Sequence, residues 1–132
     1  MMGGEAIFVN WNLEQPGITF SAKYGRISIL KKTLELLSYP EYYRFLFSPE
    51  DKLFAVQVCK IGDEGAHRLP LETIEENYEI KSMDLVQFVY GVCGWNKKVS
   101  YRVAGIMFAE EKTVQFDLCT ALEIYEGRFV KP

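Results

Sequence analysis

Histidine occurs once in the 132 residues, at His67, and cysteine three times, at Cys59, Cys93 and Cys119. No two cysteines stand in a C-x-x-C spacing, so a structural zinc site lacks its ligands and no metal is expected. An odd number of cysteines, each in an apolar run, argues against a disulfide framework. It reads as reduced core thiols in a reducing compartment. A Cys59–His67 dyad would need an orienting third group and a geometry that spacing along the chain does not supply. There is no G-x-G-x-x-G, no P-loop and no H-E-x-x-H. The acid pairs Glu50-Asp51 and Glu110-Glu111 fall at expected hairpin tips, outside the shaped, drier site that acid–base work needs. The chain therefore reads as a non-enzyme without catalytic residues, metal or cofactor.

Long apolar runs are missing as well. No segment approaches the roughly 18 to 20 uninterrupted apolar residues of a membrane span. The start, Met1-Met2-Gly3-Gly4-Glu5, has no basic stretch leading into an apolar one, so a secretory leader is not expected. The expected location is the cytoplasm, away from membranes. A net charge of −3 argues against a globally basic nucleic-acid coat and leaves room only for a local patch.

What is present is apolar and aromatic. Hydrophobic residues make up 48% and aromatics 14%, with 9 Phe and 8 Tyr, enough for the core of one domain spanning 1–132. Short strands are expected at Ala6–Val9, Ile18–Phe20 and Arg26–Ile29. Leu30, Leu34 and Leu37 then mark a short helix that must stop near Ser38, before Pro40. Tyr43–Phe47 and Leu53–Val58 predict a hairpin turning at Ser48-Pro49-Glu50-Asp51-Lys52. After a polar connector with a brief edge strand at Leu69-Pro70-Leu71 come a strand at Tyr78–Ile80 and a helix capped by Ser82 and ended by Gly94. A second hairpin, Val99–Val103 with Val114–Leu118, turns at Ala109-Glu110-Glu111-Lys112, and Leu122–Tyr125 adds a last strand.

The order strand, helix, hairpin thus occurs twice, in halves at about 18–59 and 77–118. Ile27-Ser28-Ile29 aligns with Tyr78-Glu79-Ile80, Tyr43-Arg44 with Tyr101-Arg102, and Glu50-Asp51-Lys52 with Glu110-Glu111-Lys112. The expected fold is α+β: two β-α-β-β repeats closing with pseudo-twofold symmetry into a small barrel or sandwich, with two short helices.

Ile18-Thr19-Phe20-Ser21, Gly25-Arg26-Ile27-Ser28-Ile29, Lys31-Lys32 and Leu34-Glu35-Leu36-Leu37 resemble the AbrB/MazE-type swapped-hairpin DNA-binding module, over roughly Ile18 to Val58. In that family two chains interlock into one barrel, basic residues near the first strands contact DNA, and members are transition-state regulators and antitoxins. The resemblance implies regulatory binding of double-stranded DNA. A duplicated single chain would be a pseudo-dimer whose first half alone carries the basic residues.

The residues themselves point the same way. Lys23, Arg26, Lys31 and Lys32 fall between Ser21 and Thr33 with no acid among them, and could converge on phosphates. Tyr24 could stack on a base or cover its turn. Against this stands a solvated face offset by the acidic Glu72, Glu75, Glu76 and Glu79, which lack a loop that would hold a cation. Lys97, Lys98 and Arg102 form a smaller basic group. The alternative function is a non-catalytic protein–protein interaction module, antitoxin-like or a mobile-element accessory, that has lost DNA binding. It would show an exposed apolar patch or a homo-oligomer interface, around Trp11, Tyr42 or Trp95.

Overall fold

Side chains alternate between two environments along almost every strand, and that alternation builds the sheet. The computed structural model describes residues 15–125 and 128–129; the expected strand at Ala6–Val9 and Trp11 lie outside them. The elements are β1 (Gly17–Ser21), β2 (Arg26–Ile29), α1 (Lys31–Leu36), β3 (Tyr42–Ser48), β4 (Leu53–Cys59), β5 (His67–Arg68), β6 (Tyr78–Lys81), α2 (Met83–Cys93), β7 (Ser100–Phe108), β8 (Thr113–Asp117), a 3₁₀ turn (Leu118–Thr120), β9 (Leu122–Tyr125) and β10 (Arg128–Phe129). The strands form one antiparallel sheet ordered β5-β3-β4-β8-β7-β1-β2-β6, with β9 beside β7 and β10 beside β9. It curls into a half-barrel, an α+β arrangement dominated by strands.

The inner face holds the core. Ile18 and Phe20 of β1, Ile27 and Ile29 of β2, Phe54 and Val56 of β4, Val103 of β7, and Val114 and Phe116 of β8 are all buried. The curl brings Phe20 edge-on to Phe54, with ring centroids 5.2 Å apart. Helix α2 lays Val86, Val89 and Tyr90 against this core. It ends at Gly94, whose left-handed φ of 66° suits a residue without Cβ. Helix α1 is short and borrows its capping. Its Leu30 cap offers no side-chain acceptor, and the Lys31 N–H donates instead to Asn77 Oδ1 at 2.9 Å. Thr33, fully buried, donates to Gly17 O and accepts from Gly17 N, both at 2.8 Å, which fastens α1 to the start of β1. Ser38 and Tyr39, with φ of 59° and 47°, end it.

Strand β7 has the most partners. Ser100–Ala104 pairs with β1, Ser100–Arg102 also with β9, and Gly105–Phe108 with β8. At the change of partner a Cβ on Gly105 would sit 2.6 Å from both Phe116 Cε1 and Val114 Cγ1. The two hairpin turns match in detail. Lys52 and Lys112 both adopt positive φ, 53° and 51°, and their N–H groups donate to Pro49 O and Ala109 O.

Three expectations need correction. The brief edge strand lies at His67–Arg68, not Leu69–Leu71, because Leu69 turns inward and its N–H donates to Glu41 O at 2.9 Å. Ser82 occupies the cap position of α2 without a side-chain cap bond. The cysteines are free but are not core residues: Cys59 and Cys93 are half-buried and Cys119 is exposed on the 3₁₀ turn.

Two predictions follow from the core. Gly105→Ala should destabilise the fold by about 1–3 kcal/mol, read as a lowered urea midpoint with unchanged slope, because the clash involves packed side chains on the neighbouring strand. The Tyr90 hydroxyl lies 2.7 Å from Val99 O and 3.1 Å from Phe20 O, and burial pushes its pKa up to about 12. Burial, with Tyr78 beside it, likewise holds Tyr43 well above the ordinary phenol range. Both raised pKa values favour the neutral phenol in the fold. Their contribution is complete below the ordinary value near pH 10 and is lost as pH rises towards 12. Absorbance titration at alkaline pH should therefore show these two phenols ionising together with unfolding, after the exposed tyrosines.

Candidate functional site

The four basic residues singled out in the sequence fall into two pairs at opposite ends of β2. Lys23 lies in the β1–β2 turn and Arg26 opens β2 directly after it, where the Gly25 carbonyl accepts from Ser82 N–H at 2.8 Å and holds the turn against the start of α2. Lys31 and Lys32 open α1, about 15 Å further along at the rise of an extended chain. At the turn, Tyr24 is half-exposed and its ring carries two cations, the Arg26 guanidinium at 4.8 Å and Lys23 Nζ at 5.3 Å from its centroid. Arg26 Nε is buried without a hydrogen-bond partner, while its Nη1 lies 3.6 Å from Glu79.

The acidic connector folds onto the basic segment. Glu76 lies 3.6 Å from Lys31, and Glu35, one turn on in α1, lies 3.9 Å from Lys32. Lys31, Lys32, Glu35, Glu76 and Arg102 line a mixed-charge cleft of about 370 Å³. Half-burial lowers the pKa of Arg102 from the usual guanidinium value. Lys97 and Lys98 are exposed in the loop before β7. His67 is exposed and stacks on Tyr43, centroids 5.6 Å apart, and burial followed by the Asp63 carboxylate raises the Cys59 thiol. Trp95 packs inward, stacked 4.3 Å from Tyr101 and edge-on to Tyr90. Tyr42 is half-buried.

The outer face of the sheet divides into two unlike halves. Register places Arg102, Thr19, Ser28 and Glu79 in one straight row across β7, β1, β2 and β6, and that row is polar throughout. A second row crosses β3, β4, β8 and β7 through Leu46, Ala55, Gln115 and Ile106. Here Ile106 is 67% exposed, and Leu46 and the neighbouring Phe108 are each 42% exposed. A groove of about 500 Å³ is walled by Leu46, Leu53 and Phe108, with Ala55 and Gln115 in it. Gln57 spans one end of it: its Oε1 accepts from Arg44 Nε at 2.9 Å and its Nε2 donates to Glu111 O at 3.5 Å.

This face was missed in the sequence, although a signal was there. Phe45-Leu46-Phe47 and Ile106-Met107-Phe108 are runs of three apolar residues in strands of period two, so at least one member of each must face away from the core. No family model, curated protein or solved structure matches the chain.

Proposed function

We propose that the protein is a non-catalytic interaction module that docks through the outer face of β3-β4-β8-β7. The observation that carries this reading is the exposure of Ile106, Leu46 and Phe108 on one face of strands whose other face is already the buried core. A sheet needs one apolar face to fold; an apolar residue on the second face gains its burial only from something that covers it. A photo-crosslinking residue at position 106 should give covalent adducts in cells, and the same residue at position 79 in the polar row should give none. Equal adduct yields at the two positions, or none at either, would remove this reading.

Two arrangements support an internal β-α-β-β duplication within this module. The β4–β8 ladder is centred on Ala55↔Gln115, residues 60 apart (115 − 55), the spacing that also relates the two hairpin turns. The Val58 N–H donates to Lys112 O and the Leu118 N–H to Lys52 O, each at 2.9 Å, a reciprocal pair under the same spacing (118 − 58 and 112 − 52). The β2–β6 ladder pairs Ser28 with Glu79, 51 apart (79 − 28), the spacing of the strand match read in the sequence.

A second reading, AbrB-like binding of double-stranded DNA, is favoured by the Lys23–Tyr24–Arg26 cluster, which offers two cations and an aromatic ring on one turn. On this reading, fluorescence anisotropy with mixed duplex DNA should show affinity falling linearly with salt on logarithmic axes. Lys23→Glu/Arg26→Glu should abolish binding, and Lys31→Glu/Lys32→Glu should weaken it. No binding at low salt would dispose of the DNA reading and leave the sheet face untouched.

A further inference from the structure

We infer that the end of the sheet formed by the β1–β2 turn, Lys81 and the loop before β7 is a docking surface for an anionic lipid bilayer. The inference stands apart from the apolar hairpin face and goes beyond both readings above.

Two residues beyond the polar row, register sets Lys81, Arg26, Ser21 and Ser100 side by side across β6, β2, β1 and β7. Lys23 lies in the turn past this second row, and Lys97 and Lys98 in the loop that enters it at Ser100. Both turns are held. Gly25 N–H donates to Ala22 O at 3.3 Å, while Asn96 accepts from Lys98 N–H on Oδ1 at 2.9 Å and from Val99 N–H on its carbonyl at 3.2 Å. The Tyr90 hydroxyl ties one to the other, 3.1 Å from Phe20 O and 2.7 Å from Val99 O. Five cations distant in sequence are thereby gathered at one end. Of these, Lys23, Lys81, Lys97 and Lys98 are exposed and make no salt bridge among the described residues. Lys81 moreover stands directly opposite Arg26 in the ladder, a like-charged pair that weakens a bare sheet and is relieved by an anion over both. The carboxylates of this end are Glu79, drawn to Arg26, Asp84 in the first turn of α2 and Glu123 on β9, so the cations outnumber them five to three. Glu110 and Glu111 lie past the far end of β7, roughly 25 Å away at the rise of a strand and well outside a Debye length.

Apolar side chains select among polyanions. Tyr24 is 52% exposed and Met83 43% exposed in the midst of these cations. Met83 packs over Gly25, where a Cβ would meet its Cα at 2.9 Å and its Cε at 3.0 Å. A sugar–phosphate backbone offers no apolar counterpart to Met83. A bilayer interface takes both residues, with the aromatic ring at headgroup level and the surrounding lysines reaching the phosphates. Shape agrees. The major groove of DNA, about 12 Å wide, admits a helix or a two-stranded ribbon. The β1–β2 hairpin is not a free ribbon, because β6 and β7 flank it on either side. Lys81 to Ser100 spans three strand spacings, about 14 Å before side chains are added, and an end that broad meets a flat surface rather than a groove.

Co-sedimentation of the full chain with vesicles tests the inference, using phosphatidylcholine alone and phosphatidylcholine mixed with an equal part of phosphatidylserine. The chain should bind the mixed vesicles, ignore the neutral ones and be released by salt. Lys97→Ala/Lys98→Ala, at positions the DNA reading does not use, should weaken binding about twenty-five-fold, roughly fivefold for each cation removed. Met83→Ser should also weaken it, and both variants should keep the wild-type melting curve, since these side chains are exposed. Absence of binding to mixed vesicles at low salt, or equal binding to neutral ones, overturns the inference. So does a lysine double variant that binds as the wild type does. Adhesion by charge alone would ignore Met83, so vesicle binding unmoved by Met83→Ser overturns it as well. Duplex DNA that strips the chain from mixed vesicles, and that Met83→Ser binds as tightly as the wild type, overturns it in favour of nucleic acid. Failure of the DNA reading with vesicle binding intact leaves the inference standing.

Discussion

The whole sheet depends on one strand serving three neighbours. β7 runs beside β1 and β9 in its first half and beside β8 in its second, and the passage is possible only where Gly105 lets Phe116 and Val114 come in to a distance no Cβ would allow. Because β7 joins the two sets of strands, its change of partner sets the curl. The curl in turn carries Phe20 of β1 onto Phe54 of β4, three strands away along the sheet order. The edges left at β5 and β6 are drawn together by side chains rather than by a ladder: Tyr43 of β3 packs edge-on against Tyr78 of β6, with centroids 6.1 Å apart. Burial of Tyr43 in this seam raises its phenol, so the closure is sensitive to alkali.

The pairing of β2 with β6 has an electrostatic consequence that composition alone hides. It delivers the acidic connector to the basic segment, so Glu79 meets Arg26 and Glu76 meets Lys31. Exposed pairs of this kind add little to stability, on the order of 0–1 kcal/mol each. Their larger effect is on the field. A cluster of four cations with no acid among them in sequence becomes, in space, two short basic stations interleaved with carboxylates, and the attraction it can exert on a polyanion over a Debye length is correspondingly reduced.

Much of this architecture was legible in the sequence. The apolar run Leu53–Val58, the clean alternation of Val114–Leu118, the Pro49 turn chemistry and the Leu30-Leu34-Leu37 stripe fall on β4, β8, the first hairpin turn and α1. What was not legible depends on contacts distant in sequence. β7 reaches Phe108, well past the expected Val103, because Ala104 and Gly105 interrupt the alternation and only the pairing with β8 carries the strand through them. The edge strand falls at His67 and Arg68 because Tyr42 and Tyr43 of β3 offer the register there. The cysteines were taken inward by their apolar neighbours, yet Cys119 sits on a turn where Asp117 caps its N–H and its side chain points out. The acidic partners of Arg26 and Lys31 stand 53 and 45 positions away (79 − 26 and 76 − 31), beyond any local pattern.

The contrast between the two outer rows is the strongest guide to where the molecule acts. Folding constrains the inner face of each strand and leaves the outer face nearly free, so Arg102, Thr19, Ser28 and Glu79 are what solvent selects on an uncovered sheet. The same side of the same sheet presents Leu46 on β3 and Ile106 and Phe108 in the second half of β7. Uncovered apolar rows invite non-specific association, and they are tolerated where a specific partner removes them from water. The division therefore separates a polar half of the outer face from a half with exposed apolar side chains, and the second lies on the two hairpins, away from the basic turn of β1 and β2.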